Sequence, residues 1–590
     1  MKSCEIDDKY KWDLTLILKN DEEFYSLIET LSNDIDSLSS YEGKLNCKQN
    51  IVEFFEKDKD YSLKLNRAGL YAMLKVNQDT TNSENLRQMD KVETLCTKLG
   101  EKLAFLSPEL AKLSNKELKS FMADPELSNY SRIFESVLKS KPHTLEKNEE
   151  KIMAGIGAFS NYDGLFSMLD SVEIKMKPVK KENGEKVELT HATYGMLTRD
   201  PNPNVRKQAH LNMHKAFAGF NLTISQNYIN QLKKSDFVAK TYKFKSCFDR
   251  ALFNEEVDKK VYNTLVKNVK ANLSLFFEYV KAKKQALNLD KFLISDIFAP
   301  VGSEEKFAVE FDEAYSIVEE ALSIFGDEYL SILKKAKNNR WIDVYPTEGK
   351  SSGAFSVSNN TGNPFVLLNY KKTYNDVSTI AHEMGHSLHS YYSEKYQPYE
   401  KSDYVIFVAE VASTVNEILL CKHLLKKTED KEFKKFLLAS LIEEFYATVY
   451  KQTMYSEFEY KMHSKVNKGE PISFEELNNQ YNALQRKYLG GDIKRHKFAR
   501  YEWSRIPHFY RPFYVYKYAT GFISAVAIVK NIEQNGQKAI DSYIEFLKSG
   551  SKTDPVSLLK IAGADISSQD TFDNAFKFFS ELVEEFKTII

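Results

Sequence analysis

From Trp12 to about residue 150, apolar residues recur every three or four positions, which predicts successive amphipathic helices that each bury one face. Asp21 is placed to cap a first helix, and Leu65, Leu70, Met73 and Leu74 form a core-facing stripe on a later one. Serine and asparagine clusters at 32–40 and 80–84 read as turns between helices. Near residue 171 the period changes. Val172, Ile174 and Met176 alternate with polar residues, and Val187 and Leu189 do so again beyond Asn183-Gly184, a pattern that predicts a β-hairpin. Asp200-Pro201-Asn202-Pro203 breaks the chain and Asn204 offers a new cap. Helical spacing then resumes, with Val261, Leu265 and Val269 four apart, and runs to about Lys337.

Strand signals are concentrated in one later region. Residues 341–345, 354–357 and 365–370 have strand character, are separated by Gly349, Gly353 and Gly362, and predict a small sheet. They lead into a helix over 377–392, for which Asn375-Asp376 is the expected cap. Beyond Pro398, Ser402-Asp403 is placed to cap a second helix over about 404–425. The N-terminal helices carry no residue that suggests chemistry and read as a wall, a lid or plain packing.

Composition supports a mainly α protein. Glycine (22) and proline (14) are scarce for 590 residues, while 34 Tyr and 39 Phe suit helices packed on one another. Lys+Arg 82 against Asp+Glu 83 leaves a net charge of −1, which argues against nucleic acid or an anionic membrane as partner. No obligate protein partner is indicated. The five cysteines are odd in number and lack any Cys-x-x-Cys pair, so they read as reduced thiols, not as a disulfide framework or a zinc site. Neither a signal peptide nor an apolar run of spanning length is found, and the expected location is the cytoplasm.

The candidate chemistry lies at 382–389, His-Glu-Met-Gly-His-Ser-Leu-His. Histidines four apart on a helix share one face, so His382 and His386 are positioned to grip one metal ion, expected to be zinc, one per chain. Glu383, rotated just off that axis, suits a general base acting on water. A catalytic zinc usually takes a third protein ligand. His389 is the near candidate, although its ring is expected to sit past the metal, which leaves it a supporting role. Glu410 is the distant one, a carboxylate in an apolar stretch that needs a partner. Glu417, seven residues on, shares its face and reads either as a group that orients His382 or His386 or as a solvated glutamate on an exposed face. The metzincin pattern is excluded because Tyr392 occupies the place of its third histidine. His210 and His214 are also four apart but lack the glutamate, and read as a surface or packing pair. Gly353, Ala354 and Phe355 begin the candidate edge strand on which an extended peptide would pair.

The stretch 382–389, followed by Glu410-Val411-Ala412-Ser413-Thr414-Val415-Asn416-Glu417, resembles the oligoendopeptidase F branch of the thimet-type oligopeptidases. The likeness extends to Tyr10-Lys11-Trp12-Asp13-Leu14, Phe365-Val366-Leu367-Leu368-Asn369-Tyr370, Glu502-Trp503, Arg505-Ile506-Pro507-His508-Phe509-Tyr510 and the segment from Tyr514 to Gly521. The resemblance implies His382, His386 and Glu410 as zinc ligands, Glu383 as catalytic glutamate, and His508, Tyr514 and Tyr518 as substrate and transition-state contacts. It also implies two helical lobes around a deep cleft, an N-terminal helical region at 1–110, an oligopeptidase F N-terminal-type region at 111–200 and a catalytic domain at 201–590. Pro512 is placed to open a helix on which Tyr514 and Tyr518 share a face, their phenols ready to donate to an oxyanion, while Tyr516 reads as core. Gly490-Gly491 reads as a loop that moves on peptide entry or as an ordinary turn. The expected activity is zinc-dependent cleavage of internal bonds in short unfolded oligopeptides. A zinc carboxypeptidase on a similar scaffold and a silent peptide-binding protein are the alternatives.

Overall fold

The computed structural model describes residues 3–305 and 307–590. Helices dominate, and five short strands punctuate them: β1 (Val179–Lys180), β2 (Lys186–Val187), β3 (Ile342–Asp343), β4 (Phe355–Val357) and β5 (Phe365–Leu367). Four helices carry candidate functional residues: α1 (Tyr374–Tyr396), α2 (Ile406–Lys427), α3 (Lys451–Asn467) and α4 (Tyr516–Asn535). Among the described residues no helix is long and apolar enough to cross a membrane, and no disulfide forms.

The chain divides into two compact units. The first comprises Met1–Pro142, Phe307–Leu420 and Asn535–Gly563. Its N-terminal helices Asp21–Ser39, Lys48–Gln78 and Ser83–Lys102 bury Phe24, Leu31, Leu65, Leu70 and Leu74 in a core that also takes in Phe365 and Leu367 of β5. The N-terminal region therefore packs behind the small sheet. Asn20, not Asp21, caps the first helix, accepting from the Glu23 N–H. That helix runs through the serine-rich stretch to Ser39, because Leu31, Ile35 and Leu38 continue its buried stripe and outweigh the turn-forming residues between them.

The sheet has the order β3-β5-β4, with β5 parallel to β3 and antiparallel to β4. Phe365, Val366 and Leu367 are all buried, as a central strand covered on both faces requires. β4 is an edge strand and is half-buried throughout. Ser356 and Ser387 hydroxyls, 2.8 Å apart, join it to α1.

The second unit comprises His143–Lys306, Cys421–Gln534 and Ala564–Ile590. Its long helices include Pro203–Gly219, Asn221–Thr241, α3, Phe474–Leu489 and Gln569–Ile589. The hairpin forms with Val179 opposite Val187 and Lys180 opposite Lys186, turning through Gly184 at φ +86. Its first strand starts later than the alternation suggested. Leu169–Glu173 instead continues the preceding helix as a π-helical turn, burying Leu169 and leaving Val172 exposed. Asn202, with Pro203 at the first helical position, caps Pro203–Gly219 in place of Asn204.

Candidate metal centre

The site is assembled on α1. Thr373 and Asp376 form a reciprocal capping box, each side chain accepting the other's backbone N–H, so the helix begins earlier than Asn375-Asp376 suggested. Val377, Ile380, Ala381, Met384, Leu388 and Tyr392 anchor its apolar side. His382 and His386 fall together on the adjoining face, their Nε2 atoms 3.2 Å apart.

Glu410 arrives from α2, which begins at Ile406, beyond the expected Ser402-Asp403 cap. Its Oε2 lies 3.5 Å from the Nε2 of each histidine. Donors around a tetrahedral ion with bonds of about 2.0–2.1 Å are separated by roughly 3.3–3.4 Å. Edges of 3.2, 3.5 and 3.5 Å therefore suit a single ion held by two imidazoles and one carboxylate. Glu410 keeps its charge. Its hydrogen bond to His386 holds the carboxyl below the usual range against the opposing effect of burial.

A second set of contacts orients the first. His382 Nδ1 donates to Glu417 Oε2 at 3.1 Å, which directs the Nε2 lone pair toward the ligand cluster. Ser378 donates to the other oxygen of Glu417 at 3.4 Å. Burial opposes a charge on His382, but the Glu417 hydrogen bond and the carboxylates of Glu417, Glu383 and Glu410 together lift its pKa to about 9. The cluster is built to attract a cation. Glu383 is buried, and desolvation raises its carboxyl above the ordinary value despite the two histidines beside it.

His389 does not join the cluster. It is buried, stacks on Tyr404 at 3.8 Å and 8°, and burial first, then His386, pushes its pKa down to about 3. Gly353, with φ +84, and Ala354 lead into the edge strand that begins at Phe355. In the second unit His508, Tyr514 and Tyr518 are brought together. His508 Nε2 lies 3.1 Å from the Tyr518 hydroxyl, and the Tyr514 ring is 5.5 Å from His508 and 5.4 Å from Tyr518. Tyr514 sits in the turn before α4, not on it, because Phe513 takes φ +58 and the helix starts at Tyr516, which is buried.

Among the described residues one other group gathers three metal-ligating side chains, His210, His214 and His496. His210 and His214 are buried, so a surface location is ruled out. Their rings stack at 4.2 Å and 20°, His214 Nδ1 donates to the His210 carbonyl at 2.6 Å, and His210 Nδ1 lies 2.7 Å from His496 Nε2. Burial pushes the pKa of all three rings below the ordinary value, so they pack as neutral imidazoles.

A profile of peptidase family M3 matches residues 196–578, nearly two thirds of the chain, and an Oligopeptidase F profile matches 109–175. The chain belongs to peptidase family M3. Oligopeptidase PepF of Bacillus subtilis (strain 168) is 36% identical over 592 residues, covering 99% of this chain and 88% of that relative. Group B oligopeptidase PepB of Streptococcus agalactiae serotype III (strain NEM316) is 35% identical, covering 99% and 98%. The crystal structure of oligoendopeptidase-F from Enterococcus faecium superposes with a TM-score of 0.73 at 28% identity, covering 96% of this chain and 99% of that one. A Chlamydophila abortus protein of known structure reaches a TM-score of 0.93 at 32% identity, with both chains fully covered. This M3 chain is a metalloendopeptidase, and the His382, His386 and Glu410 cluster fits the metal that such an enzyme uses.

Two residues that build this M3 site escaped the sequence reading. Gly385 lies where a Cβ would meet Ser413 Cα at 2.5 Å and Ala412 O at 2.7 Å, so its missing side chain lets α2 lie against α1. An isolated glycine inside a helical pattern was the available signal. Asn416 clamps the same pair. Its Nδ2 donates to the Ala381 carbonyl at 3.0 Å, and its Oδ1 accepts from Tyr329 at 3.1 Å. No local pattern announces that role.

Proposed function

We propose that this M3 enzyme is a zinc-dependent endopeptidase that hydrolyses internal bonds of short, unfolded oligopeptides, with one zinc per chain held by His382, His386 and Glu410. The carrying observation is the convergence of those three donor atoms beside Glu383, a buried carboxylate next in sequence to the first of them. When bound, zinc supplies a Lewis acid that brings the pKa of water toward about 7 and polarises the scissile carbonyl.

The protein's own groups do the rest. Glu383, its basicity raised by burial, takes a proton from the attacking water and returns it to the leaving amine. Glu417 keeps His382 in the tautomer whose Nε2 is free of a proton. His389 supports α1 from behind through its stacking on Tyr404. Gly353, Ala354 and Phe355 offer main-chain groups to an extended peptide at the sheet edge. Tyr514 and Tyr518, assisted by His508, donate to the oxyanion of the tetrahedral intermediate. Peptides are the substrates, and the balanced net charge gives no reason to invoke nucleic acid or membrane.

The test measures zinc per chain and cleavage of an internally quenched oligopeptide for the wild type, Glu383→Gln and Glu410→Ala. Glu383→Gln should keep one zinc and lose turnover by about 10²–10⁴. Glu410→Ala should lose both. Wild-type turnover in Glu383→Gln would overturn the assigned base, and full zinc in Glu410→Ala would overturn the third ligand.

A further inference from the structure

Phe513 adopts φ +58, a left-handed conformation that a bulky aromatic residue rarely takes. It immediately precedes Tyr514 and decides where the chain leaves for α4. Two sets of contacts hold it there. Its ring packs on Phe248 at 4.8 Å and His463 at 5.0 Å, and its N–H donates to Glu459 Oε1 at 2.7 Å.

Glu459 is an unusual choice for that task. It sits on α3 with no exposed surface, and its Oε2 has no hydrogen-bond partner among the described residues. Burial, opposed by the Phe513 hydrogen bond and by Lys517, pushes its pKa up to about 8, so near neutral pH it is an uncharged acid. An acid buried with one oxygen unsatisfied is costly, and an apolar side chain would fill the position more favourably. What an apolar residue would not supply is the acceptor for Phe513. Directly beyond the turn, Tyr514 is framed by His508, by Tyr518 and by the Lys517 ammonium, 5.1 Å from its ring centroid and itself paired with Glu255.

We propose that Glu459 is a positioning residue for the peptidase reaction: by accepting the Phe513 N–H it locks the left-handed turn that sets Tyr514 against His508 and Tyr518. The inference rests on the proposed role of Tyr514 as an oxyanion donor. Displacing such a donor by about 1 Å is enough to cost on the order of 10²-fold in rate.

Steady-state cleavage of one quenched oligopeptide, with zinc content and unfolding temperature recorded in parallel, tests this. Glu459→Leu should lower kcat by about tenfold or more with KM and zinc content nearly unchanged. Glu459→Gln should retain kcat, because its amide oxygen accepts the same bond. Phe513→Gly added to Glu459→Leu should restore most of kcat, since glycine enters the left-handed region without strain. Tyr514→Phe should lose about 10²–10³ in kcat, and adding Glu459→Leu to it should cost little more. If Glu459→Leu does not fold, Glu459→Ser, too short to reach the Phe513 N–H, should show the same kcat loss. Wild-type kcat in Glu459→Leu or Glu459→Ser beside a slow Tyr514→Phe overturns the positioning role and leaves the oxyanion reading standing. Wild-type kcat in Tyr514→Phe overturns that reading, and this inference with it.

Discussion

His382 is pulled two ways, its Nδ1 proton toward Glu417 and its Nε2 toward the ligand cluster, and both pulls have measurable consequences. With its pKa lifted to about 9, metal-free His382 holds a second proton at neutral pH, which an incoming metal must displace. Apparent zinc affinity should therefore weaken by about tenfold per unit as pH falls from 9 toward 7, readable by competition with a chromophoric chelator. The same shift acts on folding. A pKa raised from 6.5 means that the charged His382 stabilises the metal-free protein fully below about 6.5, and this contribution is lost as pH rises through 9. The unfolding temperature of chelator-treated enzyme should fall across that window. Glu417→Ala should reduce zinc affinity by about 10–100-fold and shift the pH dependence to lower pH, because the largest group raising the His382 pKa is gone. His382, Glu383 and His386 were legible because a single helix of fixed pitch sets all three, whereas His389 is removed from the cluster by a stacking partner, Tyr404, that no spacing rule encodes.

At the scale of elements, the site depends on how closely two helices approach. Gly385→Ala would place a methyl group 2.5–2.7 Å from the backbone of Ala412 and Ser413, which neither helix accommodates without moving. The substitution should cost about 1–3 kcal/mol and draw Glu410 away from the histidines. Denaturant unfolding and zinc content should thus fall together, and a Gly385→Ala enzyme with wild-type zinc affinity would show that the helix contact does not set the cluster. Helix existence was legible from periodicity where an apolar stripe was read, including α1 and α2. Their ends were not. Thr373 displaced Asn375-Asp376 as the start of α1 because a reciprocal cap satisfies two backbone donors at once. Similarly, Phe513 kept Tyr514 off α4 although Pro512 favours a helix start.

At the scale of the whole molecule, the helix that carries His382 and His386 depends on residues more than three hundred positions away. Trp12 donates its indole N–H to the Val366 carbonyl at 2.9 Å and packs against Phe365 and Phe355, coupling the N-terminal helices to the sheet beside α1. Trp12→Ala should destabilise the first unit by about 3–5 kcal/mol, seen as an earlier thermal transition, while zinc stoichiometry at low temperature stays near one. That outcome would separate support of the fold from support of the chemistry. Linear regions 1–110, 111–200 and 201–590 follow the order of the chain, whereas each compact unit gathers three separated segments.

The sequence by itself determined the helical class, the small sheet ahead of the metal helix and the two histidines with their glutamate. Each is a local property, set by composition, by strand or helix period, or by spacing along one element. Only the tertiary structure decided that β4 lies at the sheet edge, that Glu410 Oε2 sits 3.5 Å from both histidines, that Glu417 accepts the hydrogen bond from His382 Nδ1 and that Gly385 admits the second helix. Those facts depend on how separate elements pack, and packing is settled by shape and burial across the fold, not by any stretch of neighbouring residues.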